Sequence, residues 1–358
     1  MCENKFLKED YEMSNKKIIK VLVVEDSPVK KELLVSILNS DQDIEVIGTA
    51  ADGNTAIAFL RKEQPDVITM DIHMPGMNGF ETANKIMETN PIPIVIISSL
   101  RNNENRKDLS KAMLSAGALY FLDSPHGPWH PDFAKGSQEI VKYVKLMSKI
   151  KTYKRVILKN TPKQIAPKIA FKSKPSLIAI GVSTGGPLVL DKILSALPNG
   201  FTIPIVIALH IGHGFDLMLT KNIERKCKLP VHLAKDGDVI NSGHVYFAQG
   251  GKNIQLDRAS KISILEVKSN YSGYAPSINL FFKSVTKWHG KSAVAIILTG
   301  MGDDGVKEMK LLKEAGAVTI AQSRESCTVY GMPGEAVKVN AATHIMSIDE
   351  VIDFLVEL

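Results

Sequence analysis

Two sets of residues in this chain have the types and spacing to do chemistry. The first is an alcohol, an imidazole and a carboxylate. Ser183 stands in Gly181-Val182-Ser183-Thr184-Gly185-Gly186-Pro187, His210 follows the apolar run 205–209, and Asp303 and Asp304 follow the run 293–298 within Thr299-Gly300-Met301-Gly302-Asp303-Asp304-Gly305. An imidazole can take the proton of a serine hydroxyl, and a carboxylate can hold the imidazole tautomer and stabilise its charge, which is what acyl transfer needs. Ser183, His210 and Asp304 fill those roles.

The second set is acidic. Glu25 and Asp26 follow the apolar run 21–24, Asp71 follows the run 67–70, and Ser98 follows the run 94–97. Three carboxylates gathered in one crevice repel one another unless a hard divalent cation sits among them, and an all-oxygen ligand set suits Mg²⁺. A single strand-end acid or histidine more often caps a helix or faces water. It is the convergence of several that points to sites.

The turn around Ser183 does not read as a nucleotide cradle. No lysine follows its glycines, as a P-loop requires, and Gly181-x-Ser183-x-Gly185 lacks the G-x-G-x-x-G spacing of dinucleotide folds. It matches G-x-S-x-G formally, but the order Ser, His, Asp differs from that of ordinary α/β-hydrolases, where the acid precedes the histidine.

The elements that must carry these residues are strands and helices in alternation. From 20 to 123, short apolar runs alternate with helix-length amphipathic stretches at 29–39 and 53–62, a βαβ rhythm that predicts a parallel sheet. From 176 onward strand-like runs recur at 177–180, 205–209, 245–248, 262–267, 293–298 and 317–321, several with helical patterns between them. In such sheets ligands bind beyond the carboxyl ends of the strands, where both chemical sets fall. The expected fold class is therefore α/β, with two doubly wound parallel-sheet domains.

A chain of 358 residues exceeds one ordinary core. The expected division is an N-terminal extension at 1–17, a first domain at 18–140, a basic linker at 141–175 and a second domain at 176–358. The net charge of +6 is concentrated: residues 142–174 hold eleven Lys or Arg and no acid, leaving 33 basic against 38 acidic residues elsewhere. A solvated linker accounts for that surplus, and no nucleic-acid partner is expected. No apolar run approaches the roughly 20 residues of a membrane-spanning helix, and no signal-peptide core opens the chain, so no membrane insertion is expected. Three cysteines without C-x-x-C spacing suggest neither disulfides nor zinc, and a cytoplasmic location follows as the expectation.

Val-Leu-Val-Val-Glu25-Asp26-Ser27-Pro28 and Met70-Asp71-Ile72-His73-Met74-Pro75-Gly76-Met77-Asn78-Gly79 resemble the receiver domain of response regulators. The resemblance implies a flavodoxin-like fold. It further implies that Asp71 accepts a phosphoryl group from a histidine kinase, that Glu25, Asp26, Asp71 and the His73 carbonyl hold Mg²⁺, and that Ser98 is the switch hydroxyl. Receivers usually carry a lysine before the proline after the fifth strand, but here the sequence is Ser124-Pro125. That ammonium would pair with the phosphoryl charge. Arg101 and Arg106, after the fourth strand, are candidates to replace it.

Residues 176–358 resemble the catalytic domain of CheB-type protein-glutamate methylesterases. The matching stretches are Ile180 to Gly186, His210 with Gly214-Phe215, Ala275-Pro276-Ser277, Leu298 to Gly305, and Cys327-Thr328-Val329-Tyr330-Gly331-Met332-Pro333. The resemblance implies a Rossmann-like serine hydrolase domain. In it Ser183 is the nucleophile, His210 the general base and acid, Asp304 rather than Asp303 the orienting carboxylate, and main-chain N–H groups near Thr184 and Met301 the oxyanion donors. The substrates would be glutamate methyl esters on methyl-accepting chemoreceptors, with glutamine deamidation as a second activity, no cofactor for hydrolysis, and the receiver acting as a lid that phosphorylation opens. Two departures stand out: His210-Ile211-Gly212-His213-Gly214-Phe215 lacks the usual proline, and Gln249 and Asn253 stand where proline and histidine are usual. A phosphorelay binding module with a vestigial esterase site, or a small-molecule esterase joined to a receiver, are the rival readings.

Overall fold

The computed structural model describes residues 17–98, 120–149, 174–212, 214–267 and 274–358. Residues 1–16 of the expected N-terminal extension, most of the basic segment, His213, Arg101 and Arg106 lie outside them. Among the described residues no helix is long and apolar enough to cross a membrane.

The first unit is a five-stranded parallel sheet of β1 (Ile19–Val24), β2 (Ile44–Ala50), β3 (Val67–Met70), β4 (Ile94–Ser98) and β5 (Tyr120–Asp123), in the order β2-β1-β3-β4-β5. Helices α1 (Pro28–Asn39), α2 (Gly53–Phe59), α3 (Gly79–Thr89) and α4 (Phe133–Met147) accompany it. Residues 21–24 and 94–97 are buried on both faces, which is why those strands read as continuous apolar runs. Turn chemistry sets the helix starts. Asn78 accepts from the Phe80 and Glu81 amides while Glu81 reaches back to the Asn78 amide, a closed capping box at the mouth of α3.

Helix α4 continues past the expected domain boundary at 140. Ile140, Tyr143, Val144 and Met147 bury one face against the first sheet's core, so Lys142 and Lys145 are helical residues of the first unit. Lys145 ion-pairs with Asp41 at 2.8 Å and Asp43 at 2.7 Å. The basic surplus thus begins on a packed helix, because a 3.6-residue apolar stripe can run beneath lysines that face water.

The second unit is a seven-stranded parallel sheet ordered β14-β13-β12-β6-β7-β9-β8. Its strands are β6 (Leu177–Val182), β7 (Ile205–Leu209), β8 (Val231–Leu233), β9 (Val245–Phe247), β12 (Ala293–Ile297), β13 (Val318–Gln322) and β14 (His344–Met346). The hairpin strands β10 (Lys252–Leu256) and β11 (Ile262–Glu266) form a separate antiparallel pair. Helices α5 (Gly186–Ala196), α6 (Phe215–Glu224), α7 (Ile278–Trp288), α8 (Val306–Glu314), α9 (Met332–Lys338) and α10 (Ile348–Val356) complete it. Both sheets reverse their winding direction once, between β1 and β3 and between β6 and β12. A crevice opens at such a point, and both chemical sets hang over one.

Candidate active site

Ser183 follows the last residue of β6, His210 the last of β7, and Asp304 the loop after β12. The parallel register between β6 and both neighbours brings the three ends together. The Ser183 hydroxyl lies 3.0 Å from Nδ1 of His210, and Nε2 of His210 lies 2.9 Å from Oδ2 of Asp304. All three residues are buried, at 4, 4 and 5% exposure, so their interactions are shielded from water.

Asp304 fixes the proton inventory. Burial alone would raise its carboxyl, but the bond from His210 and those from the Asn279 and Ile278 amides outweigh burial and hold it below the usual carboxylate range. The Ile278 amide donates at 2.7 Å, the Asn279 amide at 3.0 Å and the Ser277 hydroxyl at 3.3 Å. The carboxylate therefore sits on the N-terminus of α7, where free amides and the helix dipole favour a negative charge. An anionic Asp304 accepts from Nε2–H, which leaves Nδ1 bare to accept from the serine. Asp303, beside it, is exposed.

The turn carrying the serine is clamped from below. The Ser183 amide donates to the Thr299 carbonyl at 3.0 Å, the Thr299 hydroxyl donates to the Thr184 carbonyl at 2.9 Å, and the Thr299 amide donates to Oε1 of Gln322 at 2.7 Å. Gly185 takes φ +79°, and a Cβ there would lie 2.5 Å from Cβ of Thr328, so glycine alone suits the turn. Gly300 is as tightly enclosed: a Cβ on it would fall 2.6 Å from that of Ser183 and 2.6 Å from Sδ of Met332.

Several contributors carry no motif signal. Tyr274 stacks on the His210 imidazole, with centroids 4.3 Å apart and planes 7° from parallel. Asp216, buried in the first turn of α6, accepts from the Gly214 and Leu217 amides at 2.9 and 2.7 Å and from the Gly250 amide at 2.7 Å. It ties the loop after His210 to the loop after β9, across the position of the missing proline. Asn253, one of the departures, accepts from the Ser277 amide at 2.8 Å and so anchors the residue that begins α7. Gln249 donates to the Ala234 carbonyl at 2.8 Å. The amides in these replacements do structural work in the same turns.

The first unit lies against this edge. Tyr120 and Tyr143, from β5 and α4, stack at 3.7 Å, and Tyr274, Met301 and Val329 pack with their cluster. Lys142 of α4 holds its ammonium 5.3 Å from the Tyr274 ring centroid.

On the first sheet, ligand oxygens of Glu25, Asp26 and Asp71 all lie within 4.8 Å of one another. Burial, and then the Asp71 charge, push the Glu25 carboxyl up to about 7. Such a strained set of hard oxygens fits a divalent cation of the Mg²⁺ type, which would relieve the repulsion. His73 is exposed two residues beyond Asp71. Ser98 is buried, and its hydroxyl has no hydrogen-bond partner among the described residues.

The family model "CheB methylesterase" matches residues 178–355, and "Response regulator receiver domain" matches 21–128. A protein-glutamate methylesterase/protein-glutamine glutaminase of Nitrosospira multiformis is 42% identical over 95% of this chain and 97% of its own length. The chain belongs to the CheB methylesterase family. Another member of the family, protein-glutamate methylesterase/protein-glutamine glutaminase 4 of Geobacter metallireducens, is 40% identical over 95% of this chain and 99% of its own. The crystal structure of the Thermotoga maritima CheB methylesterase catalytic domain is 30% identical, covering 52% of this chain and 98% of that one with a TM-score of 0.48. The receiver range precedes the esterase range along the chain, and each overlaps one of the two large sheets.

Proposed function

We propose that the chain is a cytoplasmic protein-glutamate methylesterase of methyl-accepting chemoreceptors, with Ser183, His210 and Asp304 as its catalytic residues and a receiver controlled by a histidine kinase. The observation that carries the reading is the unbroken contact chain Ser183–His210–Asp304 at 3.0 and 2.9 Å. Names of the curated relatives supply the substrate class, and glutamine deamidation follows from the same names.

Ser183 Oγ attacks the ester carbonyl carbon while Nδ1 of His210 takes its proton. Nε2–H stays on Asp304, whose carboxylate offsets the imidazolium charge. The Ser183 and Gly300 amides are committed to the Thr299 and Val329 carbonyls, so the amides one residue further, of Thr184 and Met301, are the pair assigned to the oxyanion. Nδ1 returns the proton to the leaving methoxide and methanol departs. A water then gives its proton to Nδ1 and attacks the acyl group, Ser183 is reprotonated, and a glutamate carboxylate remains. The vestigial-site rival is weakened by the intact triad.

The domains proposed are a receiver from 18 to 147, a basic linker to 175 and the esterase from 176 to 358. In the receiver Asp71 is the phosphoacceptor, Ser98 the switch hydroxyl, and Glu25, Asp26, Asp71 and the His73 carbonyl are the groups that would hold Mg²⁺. Bound there, the cation would neutralise phosphoryl charge. The packing of α4 beside Tyr274 supports a lid that phosphorylation loosens.

The test is methanol release from methylated receptor membranes by wild type and Ser183→Ala, each with and without acetyl phosphate. Release that depends on Ser183 and rises with the phosphodonor is expected. Equal release by Ser183→Ala would refute the assignment.

A further inference from the structure

We propose that Lys30 supplies the ammonium that faces the phosphoryl group in this receiver, replacing the lysine for which Ser124 stands. The proposal rests on Asp71 being the phosphorylated residue.

Lys30 lies in the first turn of α1, directly over the acidic crevice. Its Nζ is 3.7 Å from Oδ2 of Asp71 and 3.9 Å from Oε1 of Glu25, and it is 42% exposed while the two acids are 2 and 1% exposed. Among the described residues it is the cation in ion-pair range of Asp71. The location is otherwise unfavourable, because the N-terminal turn of a helix carries positive partial charge that repels an ammonium. Two buried carboxylates overcome that repulsion.

Both distances exceed the roughly 2.7–2.9 Å of a charge-assisted hydrogen bond. The gap between ammonium and carboxylate is where the oxygens of a phosphoryl group on Asp71 would extend. On the opposite side of the crevice, the Ser124 amide donates to the Ser98 carbonyl at 3.3 Å, and the buried Ser124 hydroxyl has no partner among the described residues. Position 124 therefore meets the end of β4, the strand beside β3, but brings no charge. The charge has moved from the β5 end to the β1 end, onto a flexible stem that can follow the phosphoryl group.

The chemistry served is phosphoryl transfer. An oxygen of the Asp71 carboxylate bonds to the phosphorus of acetyl phosphate, the bond from phosphorus to the acyl oxygen breaks, and acetate leaves with that electron pair. No proton moves. Lys30 faces the negative charge of the group in flight and of the acyl phosphate formed.

Full-length wild type, Lys30→Ala, Lys30→Met, Lys30→Met/Ser124→Lys, Arg101→Ala, Arg106→Ala and Asp71→Asn would be incubated with acetyl phosphate and Mg²⁺, with phosphorylation followed by intact mass. Melting temperature and affinity for Mg²⁺ alone would be measured in parallel. Loss of a charged hydrogen bond predicts a fall of roughly ten- to a hundredfold in the rate for both single Lys30 variants, at near wild-type melting temperature. Ser124→Lys should recover most of it. A wild-type or faster rate with tighter Mg²⁺ binding in Lys30→Met would overturn the proposal, leaving Lys30 as a counter-ion of the acidic cluster. A rate loss matched by an equal loss of Mg²⁺ affinity and unrecovered by Ser124→Lys would also overturn it. Slowing by Arg101→Ala or Arg106→Ala but not by Lys30→Met would give the role to the loop after β4. Phosphorylation that persists in Asp71→Asn would instead refute the Asp71 reading itself.

Discussion

The Tyr274 phenol ring lies flat on the His210 imidazole, 4.3 Å between centroids and 7° from parallel. The stack restricts rotation of the base about the axis that keeps Nδ1 on Ser183 and Nε2 on Asp304. Aromatic pairs of this kind are worth about 0.5–1.5 kcal/mol beyond area burial. Tyr274→Ala should accordingly lower kcat for methanol release roughly three- to tenfold, with Tyr274→Phe close to wild type. Equal loss in both variants would mean that the hydroxyl, not the ring, carries the effect.

Lys142 approaches the same ring at 5.3 Å from α4, so the regulatory unit touches the residue that steadies the catalytic base. A partly exposed cation–π contact contributes about 0.5–1 kcal/mol. Losing it shifts a closed–open equilibrium by roughly two- to fivefold. Lys142→Ala should therefore raise methanol release by the unphosphorylated chain by that factor and leave the acetyl phosphate-stimulated maximum unchanged. Unaltered basal release would sever this contact from regulation.

Gly300 leaves no room beside the nucleophile, since a Cβ would lie 2.6 Å from Cβ of Ser183. Gly300→Ala must push the serine from its bond to His210, and a displacement near 1 Å costs about a hundredfold in rate. Methanol release should fall by that order while the melting temperature changes by a few degrees. Retained activity would place the turn's freedom above what its packing suggests.

The strand-end residues were legible because parallel strands announce themselves as apolar runs, and the chemistry follows where each run stops. Ser183 and His210 were proposed that way, as were Glu25, Asp26 and Asp71, whereas the resemblance chose Asp304 over Asp303. Tyr274, Asp216 and Lys30 were not, because each acts from a loop or helix whose position relative to the sheet edge is a tertiary fact with no periodic signature. The helix that crosses the expected boundary at 140 shows a related effect. Lys142 and Lys145 read as linker charge, but the stripe Ile140-Tyr143-Val144-Met147 beneath them continues the helix. Strand β10 was not among the expected strand runs; Gly250 and Gly251 precede it, and its pairing with β11 is antiparallel and local.

Asp304 makes the acid side of stability testable. Its carboxyl is lower in the folded chain than in the unfolded one, chiefly because the bond from His210 and the α7 amides overcome the cost of burial. A depressed carboxyl binds its proton more readily when unfolded, so its stabilising contribution is complete above the ordinary carboxylate value of about 4 and is lost as pH falls through the lowered folded value. Asp304→Asn removes the charge from the N-terminus of α7 and should cost about 1–3 kcal/mol at pH 7. The gap from wild type should stay level down to about pH 4 and narrow below it. Urea unfolding of both proteins between pH 7 and pH 3 reads this directly, and a gap that is independent of pH would show that the carboxylate charge contributes nothing to holding α7 in place.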